Sequence, residues 1–270
     1  MNTAREILVT NDDGFRARGI HVLAQLLRRY GNVTVVAPFE PQSGRSVSLT
    51  LDKPLMIEEQ QNEPASDAEG RLRVYTLTGT PADCAKLGIN LFLHEGRLPD
   101  LLVSGINHGS NASAASVYSG TLGAAVEGTV YGIPSVGFSI DTHREDPDFG
   151  GVLHYGPRIL DRVLEDGIGK QVYLNVNFPD LPKEEIRGIR LARQGAGRWI
   201  KEFDHRVTRR NRHYFWMVGE FEDLEPAAGA DPAFPADHHL LDAGFISVVP
   251  HRIDTTDYAE LARLQEVWHF

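Results

Sequence analysis

Two apolar runs separated by an amphipathic stretch constrain this chain more than any other feature. Glu6-Ile7-Leu8-Val9-Thr10 reads as a short buried strand. Residues 19–30 (GIHVLAQLLRRY) place Ile20, Leu23, Leu27 and Tyr30 on one helical stripe. Gly31-Asn32 ends that helix, and Val33-Thr34-Val35-Val36-Ala37 is a second strand. A strand, a helix and a strand in that order form a β-α-β unit, which demands parallel pairing and a right-handed crossover.

The alternation continues. Residues 58–71 (EEQQNEPASDAEGR) read as a solvated loop before the strand LRVYTL. Thr80-Pro81-Ala82-Asp83 carries the signals of a helix start: a hydroxyl cap, Pro in the first turn and an acid at the third position. Strands are predicted at 100–104, 133–138 and 172–176, and helices at 119–131 and 152–166. After about residue 180 the pattern changes. Strand-like pieces at 189–193 and 213–221 alternate with charged or Pro-rich stretches such as EPAAGADPAFPAD. A short helix ending at Gly244, a strand, and a terminal helix in YAELARLQEVWHF close the chain. The fold class is therefore α/β: a Rossmann-like, mostly parallel sheet with helices on both faces over residues 1–180, and an irregular, β-containing C-terminal portion over 181–270.

Composition narrows the function. The 270 residues carry 37 acidic against 27 basic side chains, a net charge of −10 with His neutral. Such a chain is a poor partner for a nucleic-acid polymer, whose binding relies on basic surface, but backbone amides and metals can still hold a single phosphate. Cys84 is the only cysteine, so neither an internal disulfide nor a cysteine zinc cluster is available. No apolar run reaches the ~20 residues of a membrane span. A cytoplasmic protein that does not interact with membranes is the expectation.

In an open α/β sheet, ligands collect at the carboxyl ends of the strands. Four polar, Gly-containing segments fall there: Asn11-Asp12-Asp13-Gly14, Gln42-Ser43-Gly44, Ser104-Gly105-Ile106-Asn107 and Ser119-Gly120-Thr121. Each alone is weak, since Asn-Asp-Asp-Gly more often makes a turn or a helix cap than a metal site. Their shared position gives them weight. If Asp12 and Asp13 converge, both stay ionised at neutral pH only beside a positive charge. Their oxygens, with a Ser hydroxyl and an Asn carbonyl, suit Mg²⁺, Mn²⁺ or Ca²⁺ rather than zinc or copper. Ser119-Gly120-Thr121 at a helix start offers N–H groups to an anion. A substitution at Gly120 is expected to disturb anion binding and to leave the carboxylates alone. Gly123, Ala124 and Ala125 keep that helix slim. The P-loop, the G-x-G-x-x-G fingerprint and the G-x-S-x-G elbow are all missing from the sequence.

In order, the segments ILVTNDDG (7–14), APFEPQSGRSVSLT (37–50), GTPADC (79–84), DLLVSGINHGSN (100–111), YSGTLGAAVEG (118–128) and GIPSVGFS (132–139) resemble the survival protein SurE family of metal-dependent 5′-nucleotidases. The resemblance implies metal ligands at Asp12, Asp13, Ser43 and Asn107. It implies phosphate-side contacts at Asn111, Ser119, Gly120 and Thr121, with Asp12, Asp13 and Asn111 catalytic. It also implies hydrolysis of nucleoside monophosphates with one divalent cation per subunit, and homodimers or homotetramers that exchange C-terminal segments. The two portions then belong to one SurE-like domain. The loop 111–116 lacks the Gly and acidic residues many members carry there, and Val249 and His251 stand where Thr and Leu are common.

Three other activities are compatible with aspartates at strand ends. A covalent aspartyl phosphatase would use Asp12 as nucleophile, but such enzymes present Asp-x-Asp rather than Asp-Asp. A calcium-dependent nucleoside hydrolase would release free base instead of phosphate. A nucleotide or metal sensor would bind without turnover.

Overall fold

A computed structural model describes residues 4–225 and 233–268. Strand β1 (Arg5–Thr10), helix α1 (Arg18–Leu27) and strand β2 (Gly31–Pro38) form the expected unit, with β1 and β2 parallel. Next come β3 (Ile57–Glu63), β4 (Leu72–Leu77), α2 (Pro81–His94), β5 (Leu101–His108), the single turn α3 (Ala115–Tyr118), α4 (Gly120–Val130), β6 (Ser135–Asp141), α5 (Gly150–Glu165) and β7 (Val172–Pro179). The C-terminal third adds β8 (Ile189–Leu191), β9 (Gly197–Ile200), β10 (Phe203–Val207), β11 (His213–Met217), β12 (Glu220–Asp223), α6 (Asp237–Asp242), β13 (Ile246–Arg252) and α7 (Tyr258–Val267).

Nine strands form one sheet in the order β3-β4-β2-β1-β5-β6-β7-β13-β8. The six from β4 to β7 run parallel, while β3 and β13 are antiparallel to their inner neighbours β4 and β7. The strand order reverses about β1: β2 lies on one side, and β5, reached later in the chain, on the other. That reversal opens a crevice at the strand ends where a ligand can sit.

Helices cover both faces of the sheet. On one face α1 and α5 pack Ile20, Leu23, Leu27, Val152 and Leu160 onto Ile7, Val9, Val103 and Phe138. On the other, α2 and α4 pack Cys84, Ile89, Phe92 and Ala124 onto Leu8, Val36 and Leu102. The α2 start is a full capping box: Asp83 N–H donates to Thr80 Oγ1, and Thr80 N–H donates to Asp83 Oδ2. Asp83 Oδ1 also accepts Thr50 N–H, which ties the long loop after β2 to α2.

Three expectations change. The solvated loop at 58–71 begins as a strand, because β3 pairs antiparallel with β4 over Ile57–Glu63. Most of β3 is exposed, so no apolar alternation marks it. The strand predicted at 100–104 runs on to His108, past a register shift between Ser104 and Asn107 at Gly105, whose φ is +134°. A side chain at Gly105 would strike Phe138 O, its Cβ lying 2.3 Å from that atom. The last third is also only partly irregular, since β8 and β13 complete the main sheet.

The remainder of that third is a two-stranded arm. Strands β9 and β10 lead outward, and β11 and β12 return antiparallel beside them. Lys201 and Gly219, both with positive φ, mark the joint between the two rungs. No helix among the described residues is long and apolar enough to cross a membrane.

Candidate active site

Asp12 and Asp13 follow β1 directly, at the reversal point of the sheet. Asn11 Nδ2 donates to Gly14 O, and Gly14 has φ +90°, so the chain turns sharply and both carboxylates stay at the strand end. A Cβ at Gly14 would sit 3.3 Å from the backbone of Glu40 and Pro41, so the turn presses against the loop that carries Ser43. That loop is fastened to the site by Gln42 N–H, which donates to Asp12 O at 2.7 Å. Ser43 itself is exposed.

Asp12 is buried and Asp13 half-buried. Burial, and then the neighbouring Asp13 charge, push the Asp12 carboxyl up to about 6. Burial also raises Asp13, partly offset by the His108 N–H that donates to its Oδ2 at 3.0 Å. No arginine or lysine among the described residues contributes to holding either carboxylate ionised. A cation beside two adjacent carboxylates in this condition would favour their ionised form, and oxygen donors of this kind suit a hard divalent ion. The donor set therefore fits the cation the resemblance implies. Asn107 is buried beside them, and its Nδ2 donates to Gly109 O at 2.7 Å, which fixes the amide plane.

The start of α4 is in direct contact with these carboxylates. Ser119 is its N-cap, with Oγ accepting Leu122 N–H. Thr121 Oγ1 donates to Asp12 Oδ1 at 2.6 Å. A Cβ built on Gly120 would lie 2.9 Å from Asp12 Cβ and 3.1 Å from Asp12 Oδ2. The anion end and the carboxylate end are thus one packed unit, and a side chain at 120 displaces Asp12. The premise of a separate effect at Gly120, that the position stands clear of the carboxylates, is not met. The helix is slim for a related reason: a Cβ at Gly123 would come within 2.0 Å of Ser46 O, in the Ser43 loop.

Asn111 belongs to a different part of the crevice. Its N–H donates to Asn177 Oδ1 and its Nδ2 to Ser139 Oγ, while its C=O accepts from Asn175 Nδ2. Asn177 Nδ2 in turn donates to Asn175 Oδ1. His251, stacked on Tyr173 with ring centroids 5.3 Å apart, approaches Asn175 Nδ2 at 3.5 Å. Burial lowers the His251 pKa and so favours the neutral ring. Of these partners only His251 was noted in the sequence; Ser139, Asn175 and Asn177 were not singled out. Asn175 and Asn177, two apart in the apolar run VYLNVNFP, share one face of β7, and that pattern was the available signal.

Asp237 was missed as well. It is fully buried, and its carboxylate accepts N–H bonds from Ser113, Gly195 and His238. It thereby holds the loop after Asn111, the root of the arm and the start of α6 together.

The family model described as Survival protein SurE matches residues 7–201. A protein of Cytophaga hutchinsonii named 5′-nucleotidase SurE is 42% identical over 264 residues, 98% of this chain and 97% of its own. A protein of Phocaeicola vulgatus with the same name is 40% identical over 259 residues, 96% of this chain and 95% of its own. The crystal structure of the SurE protein from Aquifex aeolicus superposes with a TM-score of 0.77 at 35% identity, covering 97% of this chain and 99% of that one. A Rossmann-like sheet with paired aspartates at its reversal point, matched over nearly its whole length by these relatives, makes this chain a member of the survival protein SurE family.

Proposed function

We propose that the protein hydrolyses nucleoside monophosphates to nucleoside and inorganic phosphate, using one divalent cation, Mg²⁺ or Mn²⁺, with Ca²⁺ as a further possibility, per subunit. One observation carries the reading: two neighbouring carboxylates, buried and half-buried, have no basic partner among the described residues, and Asp12 packs against the N-terminus of α4. The relatives named 5′-nucleotidase support the substrate class.

Asp12, Asp13, Ser43 and Asn107 would hold the cation. Bound there, it would supply a Lewis acid for the phosphate and lower the pKa of a bound water. In the overall reaction the water oxygen joins phosphorus, the bond from phosphorus to the nucleoside oxygen breaks, and that oxygen takes a proton. The chain's own part is to keep these groups in place. The Thr121 hydroxyl fixes Asp12, and the His108 amide fixes Asp13. Gly120, with no side chain, lets an anion approach the first N–H groups of α4. Asn111, held by Asn175, Asn177 and Ser139, would neutralise charge on the transferring group through its side-chain amide.

The nucleoside half has a nearby place. An open cavity of about 600 Å³ lies along the Ser43 loop, lined by Phe39, Gln42, Arg45, Leu49 and Thr80 among others. Unpaired, buried Cys84 is in keeping with a cytoplasmic enzyme. The exposed aromatic side chains of the arm and the exposed helix α7 support assembly into at least a homodimer through the C-terminal third.

The test is phosphate release from a panel of nucleoside 5′- and 3′-monophosphates, with EDTA and then with added Mn²⁺ or Mg²⁺. Metal-dependent release of phosphate is expected. Release of free base would favour a nucleoside hydrolase, and tight binding without turnover a sensor.

A further inference from the structure

Outside the crevice, three side chains converge where the arm meets the body. Asp223 ends β12, and His238 and His239 lie in the first turn of α6. His239 Nε2 stands 2.7 Å from Asp223 Oδ2, and His238 Nε2 stands 3.2 Å from Asp223 Oδ1. One ligand atom from each residue lies within 4.8 Å of the other two. Asp223 Oδ1 also accepts Glu225 N–H, which fixes the carboxylate from its own strand.

We propose that Asp223, His238 and His239 form a second metal site, selective for a borderline transition ion of the Zn²⁺ type, which staples the root of the arm to α6. Ligand chemistry separates it from the crevice. Two imidazoles and one carboxylate suit zinc, cobalt or nickel, whereas an all-oxygen set suits magnesium and manganese. The spacing is close to what is needed. With metal–ligand bonds of about 2.0 Å, tetrahedral ligand atoms sit roughly 3.3 Å apart. The two rings now contact different oxygens of Asp223, and small side-chain rotations that bring three ligand atoms, already within 4.8 Å of one another, to that separation admit the ion. Three protein ligands leave a fourth position for water.

The surroundings are also those of a ligand. The buried Nδ1 of His238 forms no hydrogen bond and faces Asp237 Oδ1 at 3.5 Å. With Nε2 on a metal, Nδ1 must carry the proton, and the buried Asp237 carboxylate is placed to accept it. That carboxylate–histidine–metal arrangement orients the ring and raises its basicity. Space for the ring is kept by Gly195, where a Cβ would lie 2.2 Å from His238 Nδ1. Because Asp237 also holds Ser113 and Gly195, an ion at this site braces the arm root and, through Ser113, the loop that follows Asn111.

The test uses full-length protein stripped with EDTA and titrated with Co²⁺, followed by visible absorption. Four-coordinate cobalt with nitrogen ligands absorbs far more strongly than cobalt in an octahedral oxygen site. The wild type should show the strong band, saturating near one equivalent. His239→Gln and Asp223→Asn should each lose it. Both side chains are exposed, so neither change removes core packing. Asp12→Asn should keep the band in full while losing phosphatase activity, so failure of this site and failure of the nucleotidase reading are told apart. A wild type without the band, a band that survives in His239→Gln and Asp223→Asn, or one that vanishes with Asp12→Asn would each overturn the proposal.

Discussion

Strands β1 and β11 are nearly equal in length and opposite in circumstance. In β1 every residue after Arg5 is buried, and Ile7, Leu8 and Val9 have no exposed surface. In β11, HYFWM, every residue is exposed, including Phe215 at 58%, Trp216 at 60% and Met217 at 75%. The second strand is the more aromatic of the two, yet among the described residues only β10 lies against it, and its side chains stay open to solvent. Apolar content therefore does not show where the core is; the partner does. The body is complete within one chain. The arm carries exposed aromatic surface, and a second copy is the occupant proposed for it above.

Experiments can press on this contrast, beginning with the body. Asp12→Asn or Asp13→Asn should reduce phosphate release at least about a hundredfold at subsaturating metal, with the circular dichroism spectrum unchanged, because a metal-side oxygen is lost and no core contact is. Near-normal turnover in either variant would remove the carboxylates from the mechanism. Gly120→Val should be worse for the molecule as a whole. Its Cβ meets Asp12, so phosphate affinity, metal affinity and melting temperature should fall together. Metal affinity preserved in that variant would show that α4 can withdraw from Asp12.

The arm should respond in the opposite way. Phe215→Glu with Trp216→Glu should shift the mass measured by light scattering from dimer or larger to monomer, while the melting temperature of the body hardly moves. Covering an aromatic of this size is worth about 1.5–3 kcal/mol, so placing two charges there is enough to dissociate a dimer of ordinary affinity. An unchanged mass would mean that the arm's partner is not another copy.

A fourth measurement concerns the metal-free body. Asp12 rises from 3.8 to about 6 on folding, so its neutral form favours the native state. That contribution is fully present below pH 3.8 and is lost as pH climbs through about 6, a change of about 3 kcal/mol. In EDTA, Asp12→Asn should therefore lose less stability than the wild type between pH 4 and 7, as read from urea midpoints. Parallel curves for the two proteins would show that Asp12 is solvated. The smallest effect is expected at Cys84, whose thiol is raised by burial: it should react with a thiol reagent only as fast as the body unfolds.

The same contrast explains what could be read in advance. β1, α1 and β2 were legible because burial on one side imposes a period, and Thr80-Pro81-Ala82-Asp83 because a cap has its own chemistry. β3 was illegible because an edge strand open to water imposes no period. Strands β9 and β10 were missed for a similar reason, since most of their residues are exposed and no buried face imposes a period. In the site, the paired aspartates were visible as a motif, while the contact of Gly120 with Asp12 was not: it joins residues 108 positions apart and depends on the crossing of α4 over the strand end. Asn175, Asn177 and Asp237 serve the site through buried hydrogen bonds, which leave little trace in a sequence read one segment at a time.

The exposed strand that was misread has a consequence for how copies of this protein meet. A nine-stranded sheet has two ends, and each is a template on which a foreign strand could grow into a fibril. Here β3 guards one end with Glu58, Glu59 and Glu63 and with the irregularity between Glu59 and Gln61, and β8 guards the other by being only three residues long. Runaway stacking is discouraged at both ends. Under the assembly proposed above, self-association would then be left to the arm, where a closed assembly would form and growth would stop.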